Sequence, residues 1–250
     1  MERLIELPAK GRALIVTDLH GNIDDFYNYI ELWDDFQSKD SHFILCGDFI
    51  HAVDSELDNS IQIVNEVMKL TKKYDNFHAL MGNHEHATLI DEIVIRGATD
   101  MTAKFRNEVQ EMFGPQWEEH MDTYKAFFKT LPIAVKTANG VFISHAGPAP
   151  CPNPNVSCFV PSRFIDFLWN RERHFRKSDL NNFLRAEGCQ AMIVGHTPVD
   201  GIKRLGNQLI VSSGFSKGAK AYVDLDLEKE INGCDDILPM VKWMVPRNDN

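Results

Sequence analysis

The chain has no Cys-x-x-Cys pair, and its five cysteines, Cys46, Cys151, Cys158, Cys189 and Cys234, are scattered. These absences exclude the usual structural zinc site and a disulfide framework. The odd count is that of reduced thiols in a cytoplasmic protein. Cys151 and Cys158 flank a loop rich in proline and asparagine and could pair under oxidation, but bystander roles are expected. No apolar run approaches the roughly 20 residues that cross a bilayer. Residues 1–10 lack the apolar core of a signal peptide. A soluble protein with no membrane partner is expected. Positive charge is also short, with 26 basic against 36 acidic residues and a net charge of −10. That argues against an extended nucleic-acid surface, which needs clustered lysine and arginine. There is no internal repeat and no low-complexity tract. The 250 residues are 44% apolar, enough for a sizeable core in one large domain or two small ones.

Against this background one stretch stands out, Leu80-Met81-Gly82-Asn83-His84-Glu85, where an amide and an imidazole follow an apolar run at 77–81. Such a run reads as a short buried strand, and in open α/β sheets ligands bind at the loop leaving a strand. The pattern recurs. Asp18 and His20 follow the run 12–17, Asp48 follows 42–47, His145 follows 141–144 and His196 follows 191–195. Strands of a predominantly parallel sheet present such loops along one edge. A lone strand-end histidine is ordinarily a capping or hydrogen-bonding residue, but five such endings point to one convergent centre. The Asp-x-His spacing sets Asp18 and His20 on one side of an extended segment. Because the residues run from Asp18 to His196, a single domain over 1–250 is expected.

The remaining elements follow from periodicity. Helices are expected at 24–36 and 59–74, with apolar residues at helical spacing. Residues 86–131 read as a helical insert, with helices at 90–95, 105–113 and 117–129 and a break at Gly114-Pro115. Asn139-Gly140 between apolar runs predicts a hairpin joining 133–136 to 141–144. Residues 149–161 read as a loop, and 164–175 as a helix ending in the basic cluster from Arg171 to Lys177. The runs 208–212 and 219–226 read as an antiparallel pair, with an edge strand at 240–245.

Taken in order, Asp18-Leu19-His20-Gly21-Asn22, Gly47-Asp48, Gly82-Asn83-His84-Glu85, His145-Ala146-Gly147 and Gly195-His196-Thr197-Pro198 resemble the blocks of the calcineurin-like metallophosphoesterases. The resemblance covers residues 13–226. It is nearest the phosphoprotein phosphatase branch and its bacterial relatives that split dinucleoside polyphosphates. Pro198 stands where many metallophosphoesterases outside that branch carry another histidine. The resemblance implies an α/β fold, a four-layer αββα sandwich of two mixed sheets with the metal site at the strand C-terminal ends. It implies two divalent metal ions (manganese foremost, with iron, zinc or cobalt as options). Asp18, His20 and Asp48 would hold one, and Asp48, Asn83, His145 and His196 the other. A hydroxide shared between the metals would attack phosphorus, so no serine or cysteine nucleophile is required. His84 would be the general acid, Asp48 the bridging catalytic carboxylate, and Glu85 a support for the loop.

The departures matter equally. Where the branch continues from Gly-Asp to Asp-Arg-Gly, this chain has Phe49-Ile50-His51-Ala52-Val53-Asp54, placing His51 at the aspartate and Ala52 at the arginine. The arginine often found before Gly-Asn-His-Glu is Met81. Asn83, Arg171 and Arg163 are therefore the expected phosphate-binding residues, the arginines flanking a segment like the family's Leu-Trp-x-Arg. His51 and His86 are expected on the surface, the alternative being that they orient substrate or His84. Phosphomonoester hydrolysis, on phosphoserine/threonine proteins or small phosphoesters, is the leading expectation. Hydrolysis of dinucleoside polyphosphates is the alternative, with a non-catalytic scaffold behind both.

Overall fold

The computed structural model describes residues 4–34, 38–52, 58–214 and 218–244. Residues 35–36 of the first expected helix, Val53-Asp54, and residue 245 of the expected edge strand lie outside them. The chain begins with β1 (Leu4–Leu7), β2 (Arg12–Val16), α1 (Ile23–Asp34), β3 (Ser41–Leu45), α2 (Ser60–Lys73), β4 (Phe77–Ala79) and α3 (Asn83–Leu89). A small hairpin, β5 (Ile95–Arg96) and β6 (Thr99–Asp100), leads to α4 (Met101–Phe113) and α5 (Trp117–Thr130). Then come β7 (Ala134–Thr137), β8 (Val141–Ser144), α6 (Asp166–Trp169), α7 (Lys177–Ala186) and β9 (Ala191–Val194). The chain closes with β10 (Ile202–Leu205), β11 (Gln208–Val211), β12 (Ala221–Asp226), α8 (Cys234–Ile237) and β13 (Val241–Trp243).

Two large mixed sheets form, ordered β1-β7-β8-β9-β11-β10 and β13-β12-β2-β3-β4. The alternation of side chains along each strand builds the layers. On β2 and β3, Ala13, Ile15 and Ile44 face the other sheet and meet Val135, Ile143, Ile193 and Val211 in a core between the sheets. Leu14, Val16, Phe43 and Leu45 face outward and are covered by Phe26, Tyr29 and Trp33 of α1 and by Val64 and Val67 of α2. On the far side Phe142, Met192 and Ile210 pack beneath Leu180 and Phe183 of α7. The result is the expected sandwich, helices outside and two sheets within.

Several expectations change. Residues 90–95 are not helical: the chain turns there into the β5–β6 hairpin. Only Asp166–Trp169 is α-helical within 164–175, and Asn170 and Arg171 are extended. The segments 208–212 and 219–226 do not form the expected antiparallel ladder, although Ala221 N donates to Ser212 O at 2.9 Å where they pass. β11 pairs with β9 and β10, and β12 crosses to the second sheet to pair with β2 and β13. Cys151 and Cys158 form a disulfide, with Cα atoms 5.7 Å apart, whereas Cys46, Cys189 and Cys234 are free and buried. The loop between the two cysteines folds back on itself, with Asn155 N donating to Asn153 Oδ1, which brings thiols seven positions apart within bonding reach.

Candidate metal centre

Both sheets direct strand-end loops to one place. β2 leads into Asp18 and His20, β3 into Asp48 and β4 into Asn83 and His84 on α3, while β8 and β9 of the other sheet lead into His145 and His196. Among described non-glycine residues, positive φ occurs at Asp18, His20, Asp48, His51, His196 and Asp91. All but Asp91 belong to these loops, and left-handed backbone at aspartate and histidine is conformational strain concentrated where a site is built. The loops also touch closely. A Cβ on Gly82 would lie 2.3 Å from Asp48 N, and one on Gly195 only 1.9 Å from Asp18 Oδ2.

Asp48 occupies the middle. Its Oδ2 lies 3.3 Å from His145 Nε2, 3.8 Å from His84 Nε2 and 3.9 Å from His20 Nε2. Its Oδ1 accepts from His84 N at 3.0 Å. Glu85 fixes the loop from below, its carboxylate accepting from the backbone N–H of Asp48, Phe49, Ile50 and Gly82. Asp18 is 4.0 Å from His20 Nε2 and accepts from His196 N at 2.9 Å. Two groups of side chains have the spacing to hold an ion, His20 with Asp48 and His84, and Asp48 with His145 and His196. His84, expected as an acid, thus also stands within the first group.

The donor chemistry suits divalent cations. His145 Nδ1 is 2.8 Å from the Cys46 carbonyl and donates to it, so in the neutral ring Nε2 presents a lone pair. That nitrogen stands 3.0 Å from Asn83 Oδ1 and 3.1 Å from His196 Nδ1 as well as 3.3 Å from Asp48 Oδ2. Acceptors at this spacing need a shared proton or a cation between them. Accordingly, although burial opposes the charge on His145, Asp48 and Asp18 raise it to about 9. Burial lowers His20 to about 3 and His196 further, keeping both imidazoles neutral with lone pairs available, as ligation requires. Burial raises Asp18 to about 7, whereas Asp48 stays well below the usual carboxylate range because His145 and His84 outweigh its burial.

The other expected residues separate clearly. Arg171 lies against the centre, its Nε 3.1 Å from His196 Nε2. Arg163 is engaged elsewhere, pairing with Asp166 at 3.2 Å and donating to the Pro150 carbonyl. His51 and His86 are buried, at 1% and 6% exposure, and are not surface histidines. His51 Nδ1 is 2.7 Å from His84 Nδ1, and His51 Nε2 is 3.2 Å from Thr88 Oγ1. The ring of Phe105 from α4 packs beside His51. His86 packs its ring edge-on against Phe164. Arg96 was not singled out from sequence, yet it depresses the protonation of both His20 and His84, after their burial and other charges. The sequence signal that could have found it is an arginine within a short stretch otherwise rich in isoleucine.

A sequence model of the calcineurin-like phosphoesterases matches residues 11–221. No curated protein sequence matches. Among solved structures, a serine/threonine phosphatase from Saccharomyces cerevisiae is similar with TM-score 0.67 and 17% identity, over 89% of this chain and 76% of that one. A cold-active protein-tyrosine phosphatase of a Shewanella species is similar with TM-score 0.58 and 14% identity, over 90% and 78%. A candidate diadenosine tetraphosphatase gives TM-score 0.53 and 14% identity, over 99% and 100%.

Proposed function

The chain belongs to the calcineurin-like phosphoesterases, and from that premise we propose that it is a dinuclear metal-dependent phosphomonoesterase acting on phosphoserine/threonine proteins or small phosphoesters. The family uses divalent metals. The reading takes the chain as one domain with an insert at 86–131, in which α4 backs His51. Asp18, His20 and Asp48 would hold one ion and Asp48, Asn83, His145 and His196 the second, manganese being the first choice among manganese, iron, zinc and cobalt. When bound, the ions supply Lewis acidity that activates water and polarises the phosphoryl group. The observation that carries the reading is Asp48 Oδ2, placed 3.3–3.9 Å from three imidazole nitrogens. A carboxylate so placed can serve both groups.

The chain's own residues supply the proton. With His51 protonated on Nε2 and donating to Thr88 Oγ1, its Nδ1 can accept from the Nδ1–H of a protonated His84. The protonated His84 would then hold its second proton on Nε2, the nitrogen that faces Asp48 and the centre. His84 can give that proton to the leaving oxygen and return to a neutral imidazole, with His51 accepting from it as an aspartate usually does. Arg171 is placed to hold a phosphoryl oxygen, and Asn83 offers its amide beside His145. Arg163 serves the loop at 149–161 through the Pro150 carbonyl.

A second reading, hydrolysis of a dinucleoside polyphosphate, draws on the cationic run Arg171, Arg173, Arg176 and Lys177, which leads outward from the centre. No described helix is long and apolar enough to cross a membrane. A cytoplasmic location, first expected from reduced thiols, rests now on Cys46, Cys189 and Cys234, because Cys151 and Cys158 are joined.

The test is hydrolysis of an aryl phosphate by metal-stripped protein before and after manganese is added, beside Asp48→Asn. Manganese-dependent turnover that falls at least about a hundredfold in the variant is expected. Turnover of a dinucleoside tetraphosphate without the aryl ester would move the reading to the second one. Inactivity on both with every divalent ion would remove it.

A further inference from the structure

His51 keeps a left-handed backbone, φ 63°, a conformation that a non-glycine residue holds when its surroundings impose it. The residue does two jobs there. Its ring meets His84 through Nδ1 atoms 2.7 Å apart, and its carbonyl lies 3.1 Å from His20 Nδ1. A proton on His20 Nδ1, donated to that carbonyl, leaves the Nε2 lone pair of His20 for the centre. One loop residue thus orients both the acid and a ligand. Thr88 and Phe105 locate its ring. Its backbone is located by the His51 N–H, which donates to Ser60 Oγ at 2.9 Å.

Ser60 opens α2 and is 1% exposed. A serine hydroxyl has one hydrogen and two lone pairs, and it turns to suit its neighbours. Asp58 sets its direction here. Asp58 Oδ1 accepts from Ser60 Oγ–H and also from Ser60 N–H, the latter at 3.0 Å. The hydroxyl hydrogen is thereby committed, and a lone pair is left for His51 N–H. Asp58 Oδ2 accepts from Lys104 Nζ of α4, and Lys104 also reaches Glu108 at 2.6 Å. The Asp58 side chain is 5% exposed, so these hydrogen bonds lie largely out of water and polarise one another. Space is equally tight: a Cβ on Gly21, next to His20, would lie 2.8 Å from Asp58 Oδ1 and 2.9 Å from Ser60 Oγ. Two adjacent residues of α4 therefore bear on His51, Phe105 against its ring and Lys104 through Asp58 and Ser60 on its backbone. We propose that Ser60, set by Asp58 and Lys104, is a positioning residue that holds His51 so that His84 stays aimed at the leaving oxygen. It rests on the phosphoesterase reading for that oxygen, and by it α4 serves the reaction without touching the centre.

A proton donor matters most where the leaving oxygen is basic. Phenyl phosphate and nitrophenyl phosphate are therefore compared as substrates of the manganese-loaded parent, Ser60→Ala, Asp58→Asn and Thr102→Ala. Thr102 is the control, a buried hydroxyl of α4 that donates to Glu92 O. Ser60→Ala is expected to lower kcat on phenyl phosphate about ten- to hundredfold, the scale of a catalytic group displaced by an ångström, and on nitrophenyl phosphate about twofold or less. Asp58→Asn, which keeps the shape of the side chain, should act in the same direction by a smaller factor. KM and metal content should stay those of the parent, and Thr102→Ala should treat both esters as the parent does. Equal losses on the two esters, or loss of metal in Ser60→Ala, would assign the effect to general loosening and overturn the proposal. Unchanged kcat on phenyl phosphate in Ser60→Ala overturns it too. A second readout needs no turnover: in the zinc-loaded chain the imidazole nitrogen and proton resonances of His51 and His84 should move in Ser60→Ala and stay in Thr102→Ala. If the parent hydrolyses no phosphoester, the functional reading falls alone, and resonances unmoved in Ser60→Ala would still overturn the placement of the pair by Ser60.

Discussion

Asp48 accepts a backbone hydrogen bond on one oxygen and presents the other to three imidazoles, all within a loop whose own N–H groups are held by Glu85. Such a carboxylate has no freedom left, and its neighbours share the constraint. Gly195 is the sharpest case, since a Cβ there would fall 1.9 Å from Asp18 Oδ2. Gly195→Ala is therefore expected to displace Asp18 and, on the proposed two-ion reading, to lower bound metal below two ions per chain. Elemental analysis checks this, alongside manganese-dependent aryl phosphate turnover, which should fall about tenfold or more, as for a site misplaced by an ångström. Full metal content in the variant would show that the two loops can part without loss. The left-handed backbone at Asp18, His20, Asp48, His51 and His196 fits the same picture of residues placed by their surroundings against local preference.

At the scale of elements, the edge strand β4 carries a titrating pair. His78 on β4 lies with its Nε2 3.1 Å from His42 Nδ1 on β3, the rings stacked at 5.3 Å. Burial lowers both, His78 to about 4, with His42 adding to that shift and Asp40 opposing the one at His42. A histidine lowered on folding binds fewer protons in the native than in the unfolded chain. Its contribution is therefore intact above the unfolded value near 6.5 and declines as pH falls toward 4. Between pH 7 and pH 5 the fold should lose about 2 kcal/mol through His78. Urea titrations at the two pH values would show it, and His78→Val should shrink the difference. An unchanged difference would assign the pH dependence to other groups. Elements of this kind were unevenly legible in the sequence. Strands with ligand-bearing ends and the helices α1, α2, α4 and α5 announce themselves, because periodicity and local motif agree there. β1 passes unnoticed, since four residues carry little pattern and its partner β7 lies some 130 positions away. The basic segment at 171–177 looks helical by spacing, yet Arg171 is drawn out straight against His196, a tertiary contact that spacing cannot express. The same holds for His51 and Arg96, whose burial depends on elements that are remote in sequence or turned against the usual polarity.

Over the whole molecule, the centre lies across the seam between the sheets, with Asp18, His20, Asp48 and Asn83 leaving one and His145 and His196 the other. Ions held there would join the two halves of the sandwich. Chelation is therefore expected to lower the thermal midpoint, by about 5–10 °C for each site that had been filled at a hundred times its dissociation constant. Amide exchange should quicken together at the ends of β2, β3, β8 and β9, and acceleration confined to one sheet would mean that the ions do not couple them. The strand order carries one more consequence, for biosynthesis. β2 has β3 on one side and β12 on the other, and β12 spans Ala221–Asp226. A nascent chain must therefore hold one edge of β2 unpaired until residues 17–220 and β12 itself have left the ribosome. Such an edge invites wrong pairing. The arrival of β12, not the making of β2, decides when that edge is safe.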